Sequence, residues 1–251
     1  MSSYVLCIFE GQKTEQNIAE NLCKYFLNDG DKVILRASYG FNIYQLFESV
    51  SQDEFFDTYE LIVEQLKKRK TPLLQEEEKV IAIEDPSKIS DIYLFFDYDC
   101  HCSNANDEKL SEMLKTFNDS QDRGLLCVSY PMVEAIRHQF NESPLETLHS
   151  IEELDQYKKW INTNKTLSQR YFNWGLYDLI TWKEIINQHL IRANYLITDL
   201  LELPKNQIEQ LIIFNTQIEK HIPEKKVAVI SSFPLMLFEY YGSNLIERIT
   251  T

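Results

Sequence analysis

The stretch Tyr4-Val5-Leu6-Cys7-Ile8-Phe9-Glu10-Gly11 decides the fold. Six apolar or β-forming residues run without a polar interruption, as in a strand of a parallel sheet buried on both faces. The run stops at an acid and a glycine. Working outward, Thr14 to Leu27 has helical period, with Ile18, Leu22 and Phe26 four apart on one face and Thr14 placed to cap. Asn28-Asp29-Gly30-Asp31 is a turn, and Lys32-Val33-Ile34-Leu35-Arg36-Ala37 is a second strand. Strand, helix and strand within one short stretch form a βαβ unit, which predicts an α/β fold with a mostly parallel, Rossmann-like sheet flanked by helices.

Further along, residues 41–70 return to helical period, with Phe55, Tyr59, Ile62, Val63 and Leu66 as a stripe. Val80-Ile81-Ala82-Ile83 reads as a short strand. Ile92-Tyr93-Leu94-Phe95-Phe96 is a stronger one and ends at Asp97-Tyr98-Asp99. A helix around Glu108–Phe117 and a strand Leu125–Val128 follow. After Pro131 the pattern turns helical up to about Ile222, with Trp160, Tyr171, Trp174 and Trp182 as packing residues and Pro204 between helices. A late strand, Val227–Ile230, and a final helix close the chain. The expected organisation is an α/β core over 1–140, a helical insertion or subdomain over 141–224, and a strand and helix over 225–251 that return to the core. One local echo stands out: Ser129-Tyr130-Pro131-Met132 and Ser232-Phe233-Pro234-Leu235 each follow a strand.

Composition narrows the class. The chain has 251 residues, 44% hydrophobic and 12% aromatic, which is enough to bury a core. It contains no apolar run of membrane-spanning length, and it enters its first strand without a signal-peptide pattern. Its five cysteines fit no disulfide framework, so reduced thiols and a cytoplasmic setting are expected. A net charge of −14 argues against coating nucleic acid by bulk electrostatics. Residues 1–130 hold 13 Lys/Arg against 24 Asp/Glu, a net of −11, so the acidity lies in the part that carries the motifs below.

The chemistry is expected at strand ends. In an open parallel sheet the ligand crevice lies at the C-terminal ends of the strands, and two strands here end in acids: Glu10, and Asp97 with Asp99. Carboxylates converging there repel unless a cation neutralises them, and hard oxygen ligands suit Mg²⁺ or Mn²⁺. Glu134, soon after the Leu125–Val128 strand, is a candidate fourth carboxylate. Gly11 lets the backbone turn tightly after Glu10. Lys13 in the following loop, and Lys67, Lys68 and Arg69 in the one dense basic run, are candidate phosphate contacts. Cys100-His101-Cys102 lacks a second ligand pair for zinc, and no Gly-x-x-x-x-Gly-Lys-Ser/Thr sequence exists for a P-loop.

Phe9-Glu10-Gly11-Gln12-Lys13-Thr14-Glu15 resembles the Glu-Gly…Thr-Glu signature of Toprim domains, and Asp97-Tyr98-Asp99 resembles their Asp-x-Asp motif. The opening and the Ser129-Tyr130-Pro131-Met132-Val133-Glu134-Ala135 segment are similar to small RloB-like and OLD-like Toprim proteins of bacterial abortive-infection systems. The resemblance covers roughly residues 4–134. It implies a Toprim-like fold and metal-dependent nuclease chemistry on DNA or RNA in phage defence. Glu10 would be general acid/base and metal ligand, and Asp97 and Asp99 would hold metal. It also implies work alongside a partner ATPase or another defence protein, or as a homo-oligomer. No tyrosine-nucleophile context or zinc-binding primase module accompanies the motifs, which sets topoisomerase and primase activity aside. The alternative expectation is a non-catalytic Toprim-fold regulatory or sensor subunit in a protein complex.

Overall fold

Val5, Leu6, Ile8 and Phe9 have no solvent exposure, as a strand covered on both faces requires. They belong to β1 (Ser3–Phe9) of a computed structural model that describes residues 3–28, 32–51, 55–98, 100–140 and 147–250. The chain forms two compact units, Met1–Phe96 with Asn106–Leu126, and Asp97–Ala105 with Cys127–Thr251.

In the first unit β1 is followed by α1 (Thr14–Leu22), β2 (Lys32–Ser38), α2 (Ile43–Val50), α3 (Thr58–Lys68), α4 (Gln75–Ile81), β3 (Ile89–Asp97), α5 (Asp107–Thr116), β4 (Asn118–Asp119) and β5 (Gly124–Ser129). The mostly parallel sheet has the order β2-β1-β3-β5-β4, and helices flank it. β1 lies parallel to β2 from Ser3↔Lys32 to Phe9↔Ser38, and parallel to β3 up to Phe9↔Phe95. The order of strands therefore reverses between β1 and β3, and such a switch point opens a crevice at the C-terminal strand ends.

Several local expectations change. Thr14 is the first residue of α1, whose N-cap is Lys13 with no side-chain cap, and the helix stops at Leu22; Ile18, Leu22 and Phe26 are nonetheless buried. The helical stretch at 41–70 is two helices, capped by Asn42 and Asp57, each accepting a backbone N–H three residues on. Phe55 lies between them with 88% exposure, outside the buried stripe of Tyr59, Ile62 and Leu66. Val80-Ile81 ends a helix rather than forming a strand. Glu76, Glu77 and Glu78 favour the positive end of the α4 dipole, and the Glu77 carboxylate accepts the N–H of Leu74 at 2.8 Å. Local β-propensity loses to these contacts.

The second unit contains β6 (Leu148–Ser150), α6 (Tyr157–Thr163), α7 (Leu179–Thr198), α8 (Gln210–Lys220), β7 (Lys226–Ala228), α9 (Ser232–Tyr241) and α10 (Asn244–Thr250), with a short 3-10 turn at Val133–Arg137. The buried face of α7 carries Trp182, Ile185, Ile186, His189, Leu190 and Ala193, a helical repeat that packs against α8, α9 and α10. The late strand does not join the five-stranded sheet. β7 pairs antiparallel with β6 in a sheet of two, and β4 pairs antiparallel with the start of β5. The echoed segments meet: Tyr130 and Ile230 exchange both backbone hydrogen bonds at 2.8 and 2.9 Å, and Ser129 Oγ lies 2.8 Å from Ser232 Oγ.

Candidate functional site

Glu10 is the first residue beyond β1, and its peptide is held from both sides. Its N–H donates to Phe95 O at 3.0 Å. Its carbonyl accepts the Gly40 N–H at 3.1 Å and the Ser38 hydroxyl at 3.4 Å. Gly40 reaches this position with φ +81°, a conformation that favours glycine. The side chain of Glu10 is half-buried. Gly11 has a reason of its own, since a Cβ there would meet Glu15 Oε2 at 2.8 Å. Glu15, the last acid of the opening motif, is buried and folds back over Gly11. Ser38 and Gly40 escaped the sequence reading. Their signal was present, a Ser-Tyr-Gly-Phe run at a strand end, but only strand register connects it to Glu10.

Asp97 is the last residue of β3 and is half-buried. Asp99 lies outside the described residues. Between them, Tyr98 is buried, donates its N–H to Ser129 O at 3.0 Å, and packs its ring against Tyr130 and Phe214 at 5.5 and 6.0 Å. His101 is exposed, and its Nε2 donates to Ile151 O at 2.5 Å, which fixes the tautomer. Among the described residues no three His, Cys, Asp or Glu side chains stand together as a metal-binding group. Glu10 and Asp97 remain hard oxygen donors of the type a small divalent cation takes, so their chemistry fits such an ion.

Glu134 sits in the Val133–Arg137 turn with 2% exposure, and its Oε1 lies 3.3 Å from Lys158 Nζ. Of the basic residues, Lys13 and Lys67 are exposed, and Lys68 pairs with Glu64 at 2.6 Å in solvent. Arg69 is committed elsewhere. Its Nη1 donates to Glu77 Oε1 at 3.0 Å, its Nη2 donates to Glu77 Oε2, and Glu77 is fully buried. The Glu77 carboxylate also accepts the N–H groups of Ser38 and Leu74. Burial pushes its pKa up, but the Arg69 hydrogen bonds and these two N–H groups outweigh that and hold it below the usual carboxylate range.

A second polar group lies inside the second unit and was not anticipated. His138 Nδ1 shares a 2.9 Å hydrogen bond with the Tyr157 hydroxyl. Arg192 donates to His138 O at 3.1 Å and to Gln139 Oε1 at 2.9 Å. His189 receives the Ser231 N–H on Nδ1 at 3.1 Å, and its Nε2 lies 2.7 Å from the Gln139 amide. Burial, then the charge of Arg192 and the proximity of His149, push the His138 pKa down to about 3. Burial and Arg192 also hold His189 well below its usual value. These rings are neutral, buried and hydrogen-bonded, so they fix packing rather than transfer protons. None of the five cysteines is in a disulfide, and burial raises the thiol pKa of Cys7 and Cys23, the latter to about 11. No family model, no curated protein and no solved structure matches this chain.

Proposed function

We propose that the chain is a Mg²⁺- or Mn²⁺-dependent nuclease of Toprim type, hydrolysing nucleic-acid phosphodiesters in a bacterial anti-phage setting. One observation carries the reading: the parallel ladder of β1 and β3 ends at Phe9↔Phe95, one residue before Glu10 and two before Asp97. The strand order reverses at this pair of strands, where α/β proteins bind their ligands. Glu10, Asp97 and Asp99 would hold the cation. When bound, it supplies Lewis-acid polarisation of the phosphate and a lower pKa for an attacking water. Glu10 takes the proton from that water and returns it to the leaving oxygen, and the doubly anchored peptide of Glu10 keeps its carboxylate in place for both transfers. Lys13, exposed in the loop after Glu10, offers its ammonium to the phosphate. Arg69 supplies no phosphate contact in this reading, because Glu77 occupies it.

The test is incubation of the full chain with Mn²⁺ and plasmid, single-stranded DNA or tRNA. Glu10→Gln and Asp97→Asn are each expected to abolish cleavage without lowering the melting temperature. Cleavage that survives both substitutions refutes the assignment.

A regulatory subunit acting through a protein complex is the second reading. The charge of −14 supports it, as do the exposed apolar side chains Leu176, Leu179 and Ile180, at 78%, 40% and 62% exposure. Absence of metal heat in calorimetry together with a stable hetero-complex on size exclusion would favour it.

A further inference from the structure

The third strand end of the first unit carries a pocket that the motif reading does not use. β2 ends at Ser38, and Tyr39 N–H continues the ladder by donating to Phe9 O at 2.7 Å. A cavity of about 280 Å³ opens there, lined by Tyr39, Phe41, Gln45, Glu48, Ser49 and Gln65. That volume is just under the roughly 300–1,000 Å³ of pockets that enclose a drug-sized ligand, so it suits one ring system. Phe41 is 45% exposed. Its ring meets Tyr39 edge-on at 6.0 Å and 74°. Tyr39 is itself fixed by an edge-on contact with Phe96 at 6.2 Å and by a 3.2 Å hydrogen bond to Ser49. An aromatic ring seated against a fixed tyrosine is thus presented to solvent at the mouth of a polar pocket.

The lining selects the ligand. It contains no Lys or Arg, and Glu48 would repel a phosphate. A base is different: its face stacks on an aromatic ring, and an exocyclic amine donates to a carboxylate. The strand that leads into the pocket is the neighbour of the strand that leads to Glu10, one sheet spacing of about 4.8 Å away. We propose that the pocket bounded by Phe41, Glu48 and Gln65 holds one unstacked, amino-bearing nucleobase of a single-stranded substrate whose adjacent phosphate lies at Glu10. The proposal rests on the phosphodiester reading for its second half only, since base binding needs no metal.

The experiment uses the full chain in EDTA, with fluorescence anisotropy on short oligodeoxycytidylate, oligothymidylate and a matched strand with an abasic centre. Phe41→Ala is expected to weaken oligodeoxycytidylate binding by roughly 5- to 100-fold, the worth of one stacked base. It should leave the abasic strand unaffected, and Phe41→Trp should restore affinity. Glu48→Gln should erase the preference for cytosine over thymine. Equal losses on the abasic strand, or unchanged affinity in Phe41→Ala, overturn the subsite. A free nucleotide binding as tightly as the oligonucleotide overturns it too, by pointing to a small-molecule pocket. The two readings fail separately. Mn²⁺-dependent cleavage that survives both Glu10→Gln and Asp97→Asn removes the catalytic site and leaves the base subsite standing. Cleavage lost in Asp97→Asn with binding unchanged in Phe41→Ala does the reverse.

Discussion

Replacing Arg69 by alanine should destabilise the first unit strongly, and the loss should shrink in acid. Glu77 is fully buried, and its two oxygens accept four hydrogen bonds, two from Arg69 and one each from Ser38 and Leu74. Removing one partner of a buried ion pair leaves an uncompensated charge, at about 3–5 kcal/mol. The two backbone N–H groups stay, so the lower end, about 3 kcal/mol, is expected. For a chain of this size that is a fall in Tm of roughly 6–12 °C. The pH dependence follows from the same contacts. In the wild type the Glu77 pKa is lowered, so its contribution is present above the ordinary carboxylate range and lost as pH falls through the folded value. In Arg69→Ala the strongest lowering contacts are gone and burial prevails, so Glu77 protonates more readily than in the unfolded chain. The variant's deficit is then largest near neutral pH and narrows towards about pH 4.5. Urea melts followed by circular dichroism at several pH values measure this directly. A double variant, Arg69→Met with Glu77→Leu, should recover most of the loss, because an apolar pair has no charge to compensate. A deficit under about 1 kcal/mol, or one that does not change with pH, refutes the argument.

Three further outcomes follow. Gly124 begins β5 with φ +106°, and a Cβ there would meet Ile92 at 3.2 Å, so Gly124→Ala should cost about 2 kcal/mol in a urea melt. By contrast, Gly11→Ala meets only the flexible tip of Glu15 and should cost under about 1 kcal/mol; in a Glu15→Ala background the cost should fall further, which a double-mutant cycle reads. His138 and His189 have folded pKa values below the unfolded value, so the unfolded chain takes up protons first as pH drops below about 6.5. Stability that is complete above that pH should decline by about 1.4 kcal/mol per pH unit for each of these histidines, and equal urea midpoints at neutral pH and near pH 5.5 would contradict it.

What the sequence revealed tracks how local the determining forces are. β1, β3 and β5 could be read because each is an apolar run buried along most of its length, and edge strand β2 from its β-branched centre, although Val33 is 40% exposed. α4 could not. Val80-Ile81-Ala82-Ile83 has the β-branched character of a strand, but its first part ends a helix whose Glu77 is held by Leu74 and Arg69 nearby in the chain and by Ser38 at the end of β2. β6 holds three residues, too few for a period to show, whereas the late strand read at Val227–Ile230 is present as β7, shortened to Lys226–Ala228. Glu10 stood out as a candidate because a strand and an acid meet at one point of the sequence. The clamp around it was not, since Ser38 and Gly40 reach its carbonyl only through the register of β1 on β2. Arg69 read as one member of a dense basic run of candidate phosphate contacts, and only its burial against Glu77 separates it from Lys67 and Lys68.

That separation gives a rule for reading the remaining polar residues. Ser129 is 2% exposed, shares its hydroxyl with Ser232 Oγ and accepts the Ser232 N–H at 3.3 Å. His189 is fully buried with both ring nitrogens engaged. Arg69 gives both terminal nitrogens to Glu77, whose carboxylate also accepts the N–H groups of Ser38 and Leu74. In each case burial and hydrogen bonding together consume the side chain, and what it contributes is a single packed arrangement of its neighbours. In Glu10 the peptide spends both its donor and its acceptor on β3 and on the end of β2, and the residue as a whole is half-buried. A rigid backbone beneath a strand-end acid is the arrangement that catalytic positioning requires. It places the weight of the functional reading on the strand ends of the first unit rather than on the buried histidines of the second.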